Sequence, residues 1–493
     1  SVSLPTRRSR VRPPLPAPSF LIIMNKNNEL NIENLFNLAL QNQKENKLND
    51  AKNLYQKILK FQPKLIEVHK NLGLIYQKSG EIDKAKKHYE EAIKINPNLV
   101  IVQYNLALIF EQVGEDIKAQ TCYEKIIENN PNIPDVLNNL GLLFQKLGKK
   151  EQANECYEKA IKIDPRYANA YNNLGALNAE LGKYKEAIDN YSTALKYNDN
   201  VKSAKENLIS ALTFCDSNNN NPIVIANNNL KKIQEQFQLE DYLKDQSLKN
   251  FFQKSNQIIE SIKKDINEIY FIETQTYRRN SQNLDCERHH EVFNQFDIIP
   301  KFCFSCFKIQ IEPQNVKELI KLFFIFDSLK FPKNNWRKCM IELRPGVNGL
   351  YKGFIYCSSN DEATEILAKI EPTLKKSLKY KASIKRGCTE FYKSFSNFRE
   401  TNKEASNFMN YDERWKRIEV KADKKKVLIK KKFVDTLTGL SLSDFVIINQ
   451  WLNYAKLIND MSYKNVNLEF FNSEHIYQEM SNQLEFRRKQ FLC

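Results

Sequence analysis

Glycine is scarce in this sequence: only 12 of its 493 residues are glycine. Phosphate-binding loops and dinucleotide fingerprints need several glycines within a few positions, because the backbone must turn sharply and approach the phosphate closely. Neither motif is present. A nucleophile elbow is also missing, as is a His-x-Asp pair with a later His that would hold iron. The sequence carries no recognisable enzyme signature, so we leave an enzyme open but lean towards a protein that is not one.

Long hydrophobic runs and a secretory signal are missing as well. The most apolar run, Leu319–Phe326, is interrupted by Lys321 and is far shorter than the ~20 residues that a membrane helix needs. The ten cysteines are scattered along the chain, a usage typical of a reducing compartment. We therefore predict a cytoplasmic protein with no membrane segment and no disulfide framework.

Acidic residues are fewer than basic ones, which leaves a net charge of +16. This excess makes nucleic acid a possible partner. Lysine and glutamate are interleaved through the first half of the chain, however, which is typical of a solvated surface. Binding of nucleic acid is therefore not favoured.

Lysine, aspartate and glutamate are absent from residues 1–23, which contain five prolines and four arginines. This composition does not match the rest of the chain. We interpret the segment as a non-native or disordered prefix, a tail or upstream read-through before a natural start at Met24. An organelle transit peptide is the alternative.

The main positive feature of the sequence is a 34-residue period. Asn-Leu-Gly recurs at 71–73, 139–141 and 173–175, with Asn-Leu-Ala at 105–107 between them. Three other residue types keep the same step: Gly80, Gly114, Gly148 and Gly182; Ala51, Ala85, Ala119, Ala153 and Ala187; Pro63, Pro97, Pro131 and Pro165. Each unit is predicted to be a helix, a glycine turn, a second helix and a terminating proline. One unit cannot bury its apolar face alone, so the units must stack into a helical solenoid.

These residues resemble the tetratricopeptide repeat family from about residue 32 to 214. The resemblance implies an α-solenoid, a right-handed superhelix, within residues 24–214, with repeats at about 32–65, 66–99, 100–133, 134–167 and 168–201. Residues 202–214 keep Asn207 and Leu208 in phase but have Ile209 in place of the glycine. We predict that this segment is a capping helix, since a solenoid needs an atypical last element.

An asparagine precedes the packing leucine in every unit: Asn37, Asn71, Asn105, Asn139, Asn173 and Asn207. In tetratricopeptide repeats this position faces the concave groove. The series resembles that of O-linked N-acetylglucosamine transferase, whose asparagines hold protein substrates. An amide offers donors and an acceptor together, so it can pair with the backbone of any extended peptide. The alternative is that asparagine is simply a common residue at this position of the family.

A leucine follows three residues after each of the first four asparagines: Leu40, Leu74, Leu108 and Leu142. These leucines are expected to line the same groove. An amide series beside an apolar stripe suits an extended segment of a partner protein that carries some hydrophobic side chains.

The residues after the repeats predict a different architecture. Residues 215–266 are predicted to be a helical linker region, 267–398 an α+β domain that starts with a weak strand near 269–274, and 399–493 a helical region with an apolar helix from about Ser443 to Leu457. Within the α+β domain the predicted elements are strand Phe302–Ile311, helix Gln314–Leu329, strand Lys338–Leu343, a turn at 345–349, strand Tyr351–Cys357, helix Asp361–Leu378 and strand Tyr380–Arg386. The order β-α-β-β-α-β is that of the ferredoxin-like fold. No named family is assigned to this region.

Cys286, His289, Cys303 and Cys306 form a candidate metal site. Their spacing, C-x2-H followed by C-x2-C, is close to that of structural zinc sites with four ligands. His290 could replace His289 with a small shift. The alternative is that Cys303 and Cys306 are packed thiols of a strand, since ligands three residues apart need a knuckle or bulge there.

Two further stretches could carry a function. Lys352-Gly353-Phe354-Ile355-Tyr356 resembles part of the central strand of the RNA-recognition motif, in which aromatic rings stack on bases; the alternative is a half-buried aromatic strand. RNA binding would require Lys352, Lys381 and Lys385 to cluster around exposed rings. Arg386-Gly387-Cys388-Thr389-Glu390 is a compact polar cluster after a strand, with no reaction assigned to it.

The sequence thus predicts a protein-interaction adaptor whose repeats bind an extended segment of a partner protein. One alternative is an enzyme that modifies proteins and that the repeats direct to its substrate. Another is binding of RNA by the C-terminal domain.

Overall fold

The computed structural model describes residues 26–267, 269, 273–282, 284–344, 347, 349–425 and 433–466. The predictions for residues 1–23, for most of the turn at 345–349 and for the region after residue 466 lie outside the described residues. The chain divides into two compact units, residues 1–131 and 132–493.

The first unit consists of helices that pair in sequence order: α1 (Lys26–Lys44) with α2 (Leu48–Phe61), α3 (Ile66–Lys78) with α4 (Ile82–Ile95), and α5 (Val100–Gln112) with α6 (Asp116–Asn129). The turn inside each pair contains one residue in the left-handed conformation: Asn46 (φ 60°), Gly80 (φ 75°) and Gly114 (φ 78°). Glycine adopts this conformation without steric cost and asparagine tolerates it. This requirement explains the 34-residue step of the glycines.

The second unit begins with the same arrangement. Helices α7 (Pro134–Lys146) and α8 (Lys150–Ile163) form one pair, and α9 (Ala168–Glu180) and α10 (Tyr184–Tyr197) form the next. The predicted capping helix is present as α11 (Ala204–Ala211), which packs against α10. The chain therefore starts with a solenoid of paired helices, as predicted.

The rest of the second unit is a mixed α/β assembly. Its elements are α12 (Pro222–Gln234), α13 (Leu239–Leu243), α14 (Asp245–Ser261), α15 (Lys263–Asn267), β1 (Gln275–Arg278), α16 (Cys286–Phe296), β2 (Phe307–Pro313), α17 (Val316–Ser328), β3 (Arg337–Ile341), β4 (Tyr351–Cys357), α18 (Asn360–Ser377), β5 (Tyr380–Arg386), α19 (Trp415–Lys425) and α20 (Leu442–Leu457). Short 3₁₀ helices lie at Lys301–Ser305, Thr389–Lys393, Ser396–Arg399 and Met461–Asn465.

The strands form one antiparallel sheet in the order β1-β3-β4-β2-β5. Helix α17 connects β2 to β3, and β4 lies between these two strands in the sheet. Helix α18 connects β4 to β5, and β2 lies between those two strands. Each β-α-β crossover is therefore split by one strand. Helices α17 and α18 pack on one face of the sheet, against Ile309, Ile311 and Gly353.

The structure corrects two details of the predicted strands. Residues 302–305 belong to a 3₁₀ helix after Pro300, and strand β2 starts only at Phe307, because proline fixes its own φ and favours a turn there. The first strand of the domain is found at Gln275–Arg278 rather than near 269–274, of which residues 270–272 lie outside the described part.

The hydrophobic core of the second unit is continuous from Ala187 to Val466. It crosses the predicted boundaries at 214/215, 266/267 and 398/399. Helix α20 matches the predicted apolar helix, and 13 of its 16 residues are buried, as expected for a helix that is apolar on all sides. The start of α20 and the segment before it also bind distant elements. The amide of Leu437 donates to the carbonyl of Thr213 at 2.9 Å, and that of Leu442, the first residue of α20, donates to Asn227 Oδ1 at 2.9 Å.

A buried ion cluster connects the edge strand β1 to this core. Arg278 Nε donates to Asp327 Oδ1 of α17 at 2.5 Å, and its terminal nitrogens donate to Asp444 of α20 at 3.1 and 3.2 Å. The carbonyl of Gly439 accepts a further bond at 2.8 Å. All three charged side chains are less than 10 % exposed.

Candidate functional site

The leucines predicted to line the groove of the repeats are less buried than the apolar residues beside them. In α3, Leu72 and Ile75 are buried (0 and 1 % exposed), whereas Leu74 between them is only half-buried. Leu108 and Leu142 show the same contrast with their neighbours, and Leu40 is also half-buried. Side chains that are apolar, recurrent and partly open are those available to a partner.

The asparagines of the first unit are connected to buried tyrosines. Asn71 Nδ2 donates to the hydroxyl of Tyr55 at 3.0 Å, and that hydroxyl donates to Gln43 Oε1 at 3.1 Å. Asn105 is hydrogen-bonded to Tyr89 in the same way. Burial raises the pKa of Tyr89, so each buried hydroxyl stays neutral and requires polar partners. These amides therefore also brace one helix pair against the next.

The asparagines differ in their exposure. Asn71 and Asn139 are 4 and 7 % exposed, Asn105 is half-buried and Asn37 is exposed. Two others, both half-buried, form a ladder between successive repeats of the second unit: Asn173 Nδ2 donates to Asn138 Oδ1 at 2.8 Å, and Asn207 Nδ2 to Asn172 Oδ1 at 3.4 Å. The series therefore combines a structural role with surface available for binding.

The structure places the four predicted zinc ligands on three elements. Cys286 and His289 lie on α16, Cys303 lies in the following 3₁₀ helix, and Cys306 precedes β2. His289 is buried, with its ring 5.4 Å from that of Phe302. Within the described residues, no three of these side chains place their ligand atoms within 4.8 Å of one another. Zinc binding by this set stays a prediction.

The described part of the chain brings one other group of potential ligands together: His290, Cys388 and Glu390, whose side-chain N, S and O atoms lie within 4.8 Å of one another. His290 is the neighbour of the predicted ligand His289 and lies on a different side of α16, about 100° around the helix. Cys388 and Glu390 belong to the polar cluster predicted after β5. All three are half-buried.

Local backbone geometry positions the Cys388 thiol. Strand β5 ends at Arg386, and Gly387 then adopts φ 58°; a Cβ there would lie 2.2 Å from Phe398 Cε1, so only glycine fits. The guanidinium of Arg386 donates to the carbonyls of Phe304 (3.2 Å) and Met409 (2.8 Å). Arg386 is therefore a structural residue that fixes the loops on which the cluster depends.

Two side chains form hydrogen bonds with the Cys388 sulfur. Lys308 lies on the face of β2 opposite α17 and α18, and its Nζ is 3.2 Å from Sγ. His290 is also hydrogen-bonded to the sulfur. Burial alone would raise the pKa of this thiol, but the charge of Lys308 and the hydrogen bond from His290 lower it to about 7. The hydrogen bond to Cys388 in turn raises the pKa of His290. The arrangement favours a thiolate that is hydrogen-bonded to the ammonium of Lys308 and to the ring of His290.

Carboxylates and a guanidinium surround this group on one side. Arg344 pairs with Glu390 and also with Glu342, at 2.8 Å. Glu342 is fully buried and accepts a further bond from Lys352 at 3.2 Å. Burial alone would raise the pKa of Glu342, but the hydrogen bond from Arg344 and the charge of Lys352 lower it to about 2.

Replacing Glu342 by Gln tests this network through pH dependence. The pKa of about 2 is below the ordinary value of the unfolded chain, so the carboxylate stabilises the fold above about pH 4.5 and this stability is lost as the pH falls to about 2. Linkage gives about 3 kcal/mol. When urea unfolding is measured at a series of pH values from 7 to 2, the variant should be less stable than the wild type at pH 7. Between pH 7 and 2 its free energy of unfolding should then fall by about 3 kcal/mol less than that of the wild type. Glu371→Gln, in an exposed pair with Lys375, should follow the wild type; parallel curves for all three would contradict the prediction.

The face of the sheet opposite α17 and α18 does not present the exposed aromatic surface that RNA binding would require. The strand register places Phe354, Tyr356, Lys308 and Lys385 on this face, but Phe354 is only 7 % exposed and Lys352 is buried in its pair with Glu342. The ammonium groups of Lys338 and Lys385 lie 5.4 and 5.7 Å from the centroid of the Phe354 ring. The aromatic rings are thus covered by lysines, and the alternative of a half-buried aromatic strand describes them better.

Helix pairs joined by a left-handed turn at a constant 34-residue step define a helical-repeat protein. The repeats are tetratricopeptide repeats: models of this family match residues 66–99, 101–133, 122–153 and 168–201, and a TPR repeat model matches 146–182. These matches confirm the predicted repeats between residues 66 and 201. Proteins with such repeats bind protein partners, so protein interaction is the general role of this part of the chain.

Three solved structures are similar to part of this chain. MamA protein is 24 % identical and covers 35 % of this chain and 94 % of its own, with a TM-score of 0.32. YrrB, a TPR protein with an unusual peptide-binding site, is 19 % identical (35 % and 89 %, TM-score 0.32), and PilF of Pseudomonas aeruginosa is 18 % identical (38 % and 85 %, TM-score 0.34). No curated protein matches the chain.

None of the helices in the described ranges has the length and apolar character needed to cross a membrane. This agrees with the expectation from the short hydrophobic runs of the sequence.

Proposed function

We propose that the protein is an interaction adaptor whose tetratricopeptide repeats bind an extended segment of a partner protein. The observation that carries the proposal is the half-buried leucine at each step of the repeat, beside neighbours that are fully buried. Leu74, Leu108 and Leu142 each leave part of the side chain exposed, and the sequence keeps a large apolar side chain at each of these positions. A partner that supplies apolar side chains would bury this surface.

The asparagines supply the polar half of the same recognition. Since Asn71 and Asn139 are buried, capture of the partner's backbone falls mainly to the more open members, Asn37, Asn105, Asn173 and Asn207. Asparagine side chains pair with a peptide backbone without regard to its sequence. The leucines then determine which partner peptides bind, and the asparagine amides determine the register in which the peptide backbone lies.

The proposal is tested by selecting binders from a random library of 12-residue peptides with the full chain. We expect enrichment of peptides with spaced hydrophobic residues. Their affinity should fall at least about tenfold, roughly 1.4 kcal/mol, in a Leu74→Asp/Leu108→Asp variant. The matched control is Ile117→Asp, because Ile117 is an aliphatic residue of the second helix of its pair and is 69 % exposed.

Two results would count against this role. The first is that the folded chain enriches no peptide relative to the same chain unfolded in urea. The second is that the Leu74→Asp/Leu108→Asp variant and the Ile117→Asp variant lose affinity equally. Asn105→Ala is less diagnostic, because it also removes a hydrogen bond to the buried hydroxyl of Tyr89 and should cost about 1 kcal/mol of stability.

For the α+β part of the second unit we propose a ferredoxin-like unit, β2-α17-β3-β4-α18-β5, with β1 added at one edge. The split β-α-β crossovers and the position of both helices on one face support this assignment. The fold alone does not determine a function.

A further inference from the structure

Cys388 has surroundings unlike those of the other thiols described. Cys303, Cys306, Cys339 and Cys357 are buried, and burial raises the pKa of each thiol. Cys388 is half-buried and its sulfur receives hydrogen bonds from Lys308 and His290. A structural thiol needs neither group, whereas a nucleophilic thiol needs both a cationic partner and access to its reactant.

The same contacts argue against a metal at this site. His290, Cys388 and Glu390 could together offer N, S and O ligands. The ammonium of Lys308, however, lies 3.2 Å from the sulfur, where it would repel a divalent cation. Glu390 is engaged by Arg344. The positive charge that a metal would supply is already provided by the side chains of the protein.

The face of the sheet beside Cys388 carries an excess of cations. Lys338 and Lys385 form no ion pair with any carboxylate of the described residues; Lys338 Nζ donates only to the neutral Gln275 Oε1, at 2.9 Å. Burial lowers the pKa of each of these lysines to about 8, with repulsion from Lys308 acting on Lys338 and repulsion from Lys352 acting on Lys385. On the same face, Gln310 is 6 % exposed and its Oε1 has no hydrogen-bond partner. Lysines held close together without an ion-pair partner suit an anionic ligand.

We propose that Cys388 is a nucleophile in a site that takes a substrate bearing an anionic group next to its electrophilic atom. Lys308 holds the thiolate, Lys308 and Lys385 attract the anionic group, and His290 carries the proton that the thiol has given up. The sulfur attacks the electrophilic atom and forms a bond to it. The bond from that atom to the leaving group breaks, the leaving group keeps the electron pair, and His290 protonates it.

The experiment compares alkylation of the folded full chain by iodoacetate and iodoacetamide, with peptide mapping by mass spectrometry at each cysteine. In both reactions an S–C bond forms and iodide leaves. We expect Cys388 to react at least about tenfold faster than Cys122, which is also half-buried but whose pKa is raised to about 11 by burial. Cys388 should also prefer the anionic iodoacetate, whereas Cys122 should prefer iodoacetamide.

Variants separate the roles of the cations. Lys308→Met should lower the iodoacetate-to-iodoacetamide rate ratio at Cys388 about tenfold, and His290→Gln should slow both reactions. Lys381→Met, an exposed lysine of β5, is the matched control and should change neither. If Lys308→Met does not fold, Lys385→Met should still lower the ratio, since the Lys385 side chain is half-buried and forms no side-chain hydrogen bond within the described part of the chain.

Three outcomes would overturn the proposal. The first is a Cys388 rate equal to that of Cys122, and the second is an unchanged rate ratio in Lys385→Met. The third is that the protein retains one equivalent of Zn²⁺ after dialysis, that this Zn²⁺ blocks labelling of Cys388, and that His290→Gln no longer retains it. The cluster would then be a metal site.

Discussion

Replacing Arg278 by Met should lower the free energy of unfolding of the second unit by about 3–5 kcal/mol. The substitution keeps most of the side-chain volume but leaves the carboxylates of Asp327 and Asp444 buried without their cation. Removal of one partner from a buried ion pair costs far more than the pair contributes, because the remaining charge stays desolvated. Arg278 has two carboxylate partners, so the loss should lie at the upper end of this range.

Tryptophan fluorescence during urea unfolding measures this effect selectively, because the three tryptophans of the chain, Trp336, Trp415 and Trp451, all lie in the second unit. Arg414→Met is the matched control: its pair with Asp412 leaves Arg414 90 % exposed, so less than about 1 kcal/mol should be lost. Adding Asp327→Asn and Asp444→Asn to Arg278→Met should restore part of the stability. A loss below about 1 kcal/mol in Arg278→Met would show that the cluster is not a buried ion network.

Trp451→Ala should cost a similar amount, about 3–5 kcal/mol, for a different reason. The indole is fully buried in α20 and its Nε1 donates to the carbonyl of Thr274 at 2.8 Å. Alanine leaves a cavity among neighbours that also pack β1 and α17, and it leaves the Thr274 carbonyl unpaired. Because interiors are close-packed, the surrounding side chains cannot fill the space.

The remaining tryptophans still report unfolding of this variant. Trp451→Phe should lose distinctly less, since a ring keeps most of the volume, and Trp415→Ala should lose less than Trp451→Ala because Trp415 is only half-buried. Equal losses for Trp451→Ala and Trp415→Ala would contradict the central place of α20 in the core.

Local patterns predicted most of the elements. The 34-residue step gave the helix pairs, since each repeat is decided by its own turn, small residues and proline. Strands β4 and β5 were predicted with the bounds that the structure has, because period-2 alternation and flanking turn residues are local signals. The start of β2 was predicted too early, since Phe302 to Phe304 are as apolar as a strand while Pro300 turns the chain.

The Cys388 group could be predicted only in part. The polar cluster after β5 was recognised, and His290 was considered only as a substitute zinc ligand. Lys308 was missed, because a lysine on a strand normally points to solvent, and only the sheet order brings β2 next to β5. Contacts between residues 80 or more positions apart depend on topology rather than on local pattern. One signal was available in the sequence: Lys308 alternates with the apolar Phe307 and Ile309.

The buried position of α20 also sets the order in which the protein can be made. Its partners on α12 and α11 leave the ribosome some 200 residues earlier, so these helices must wait with an uncovered apolar surface. At ~5–20 residues per second this interval is on the order of 10–40 s. The nascent second unit is therefore expected to need a chaperone until α20 emerges, whereas the paired helices of the first unit can fold as they are synthesised.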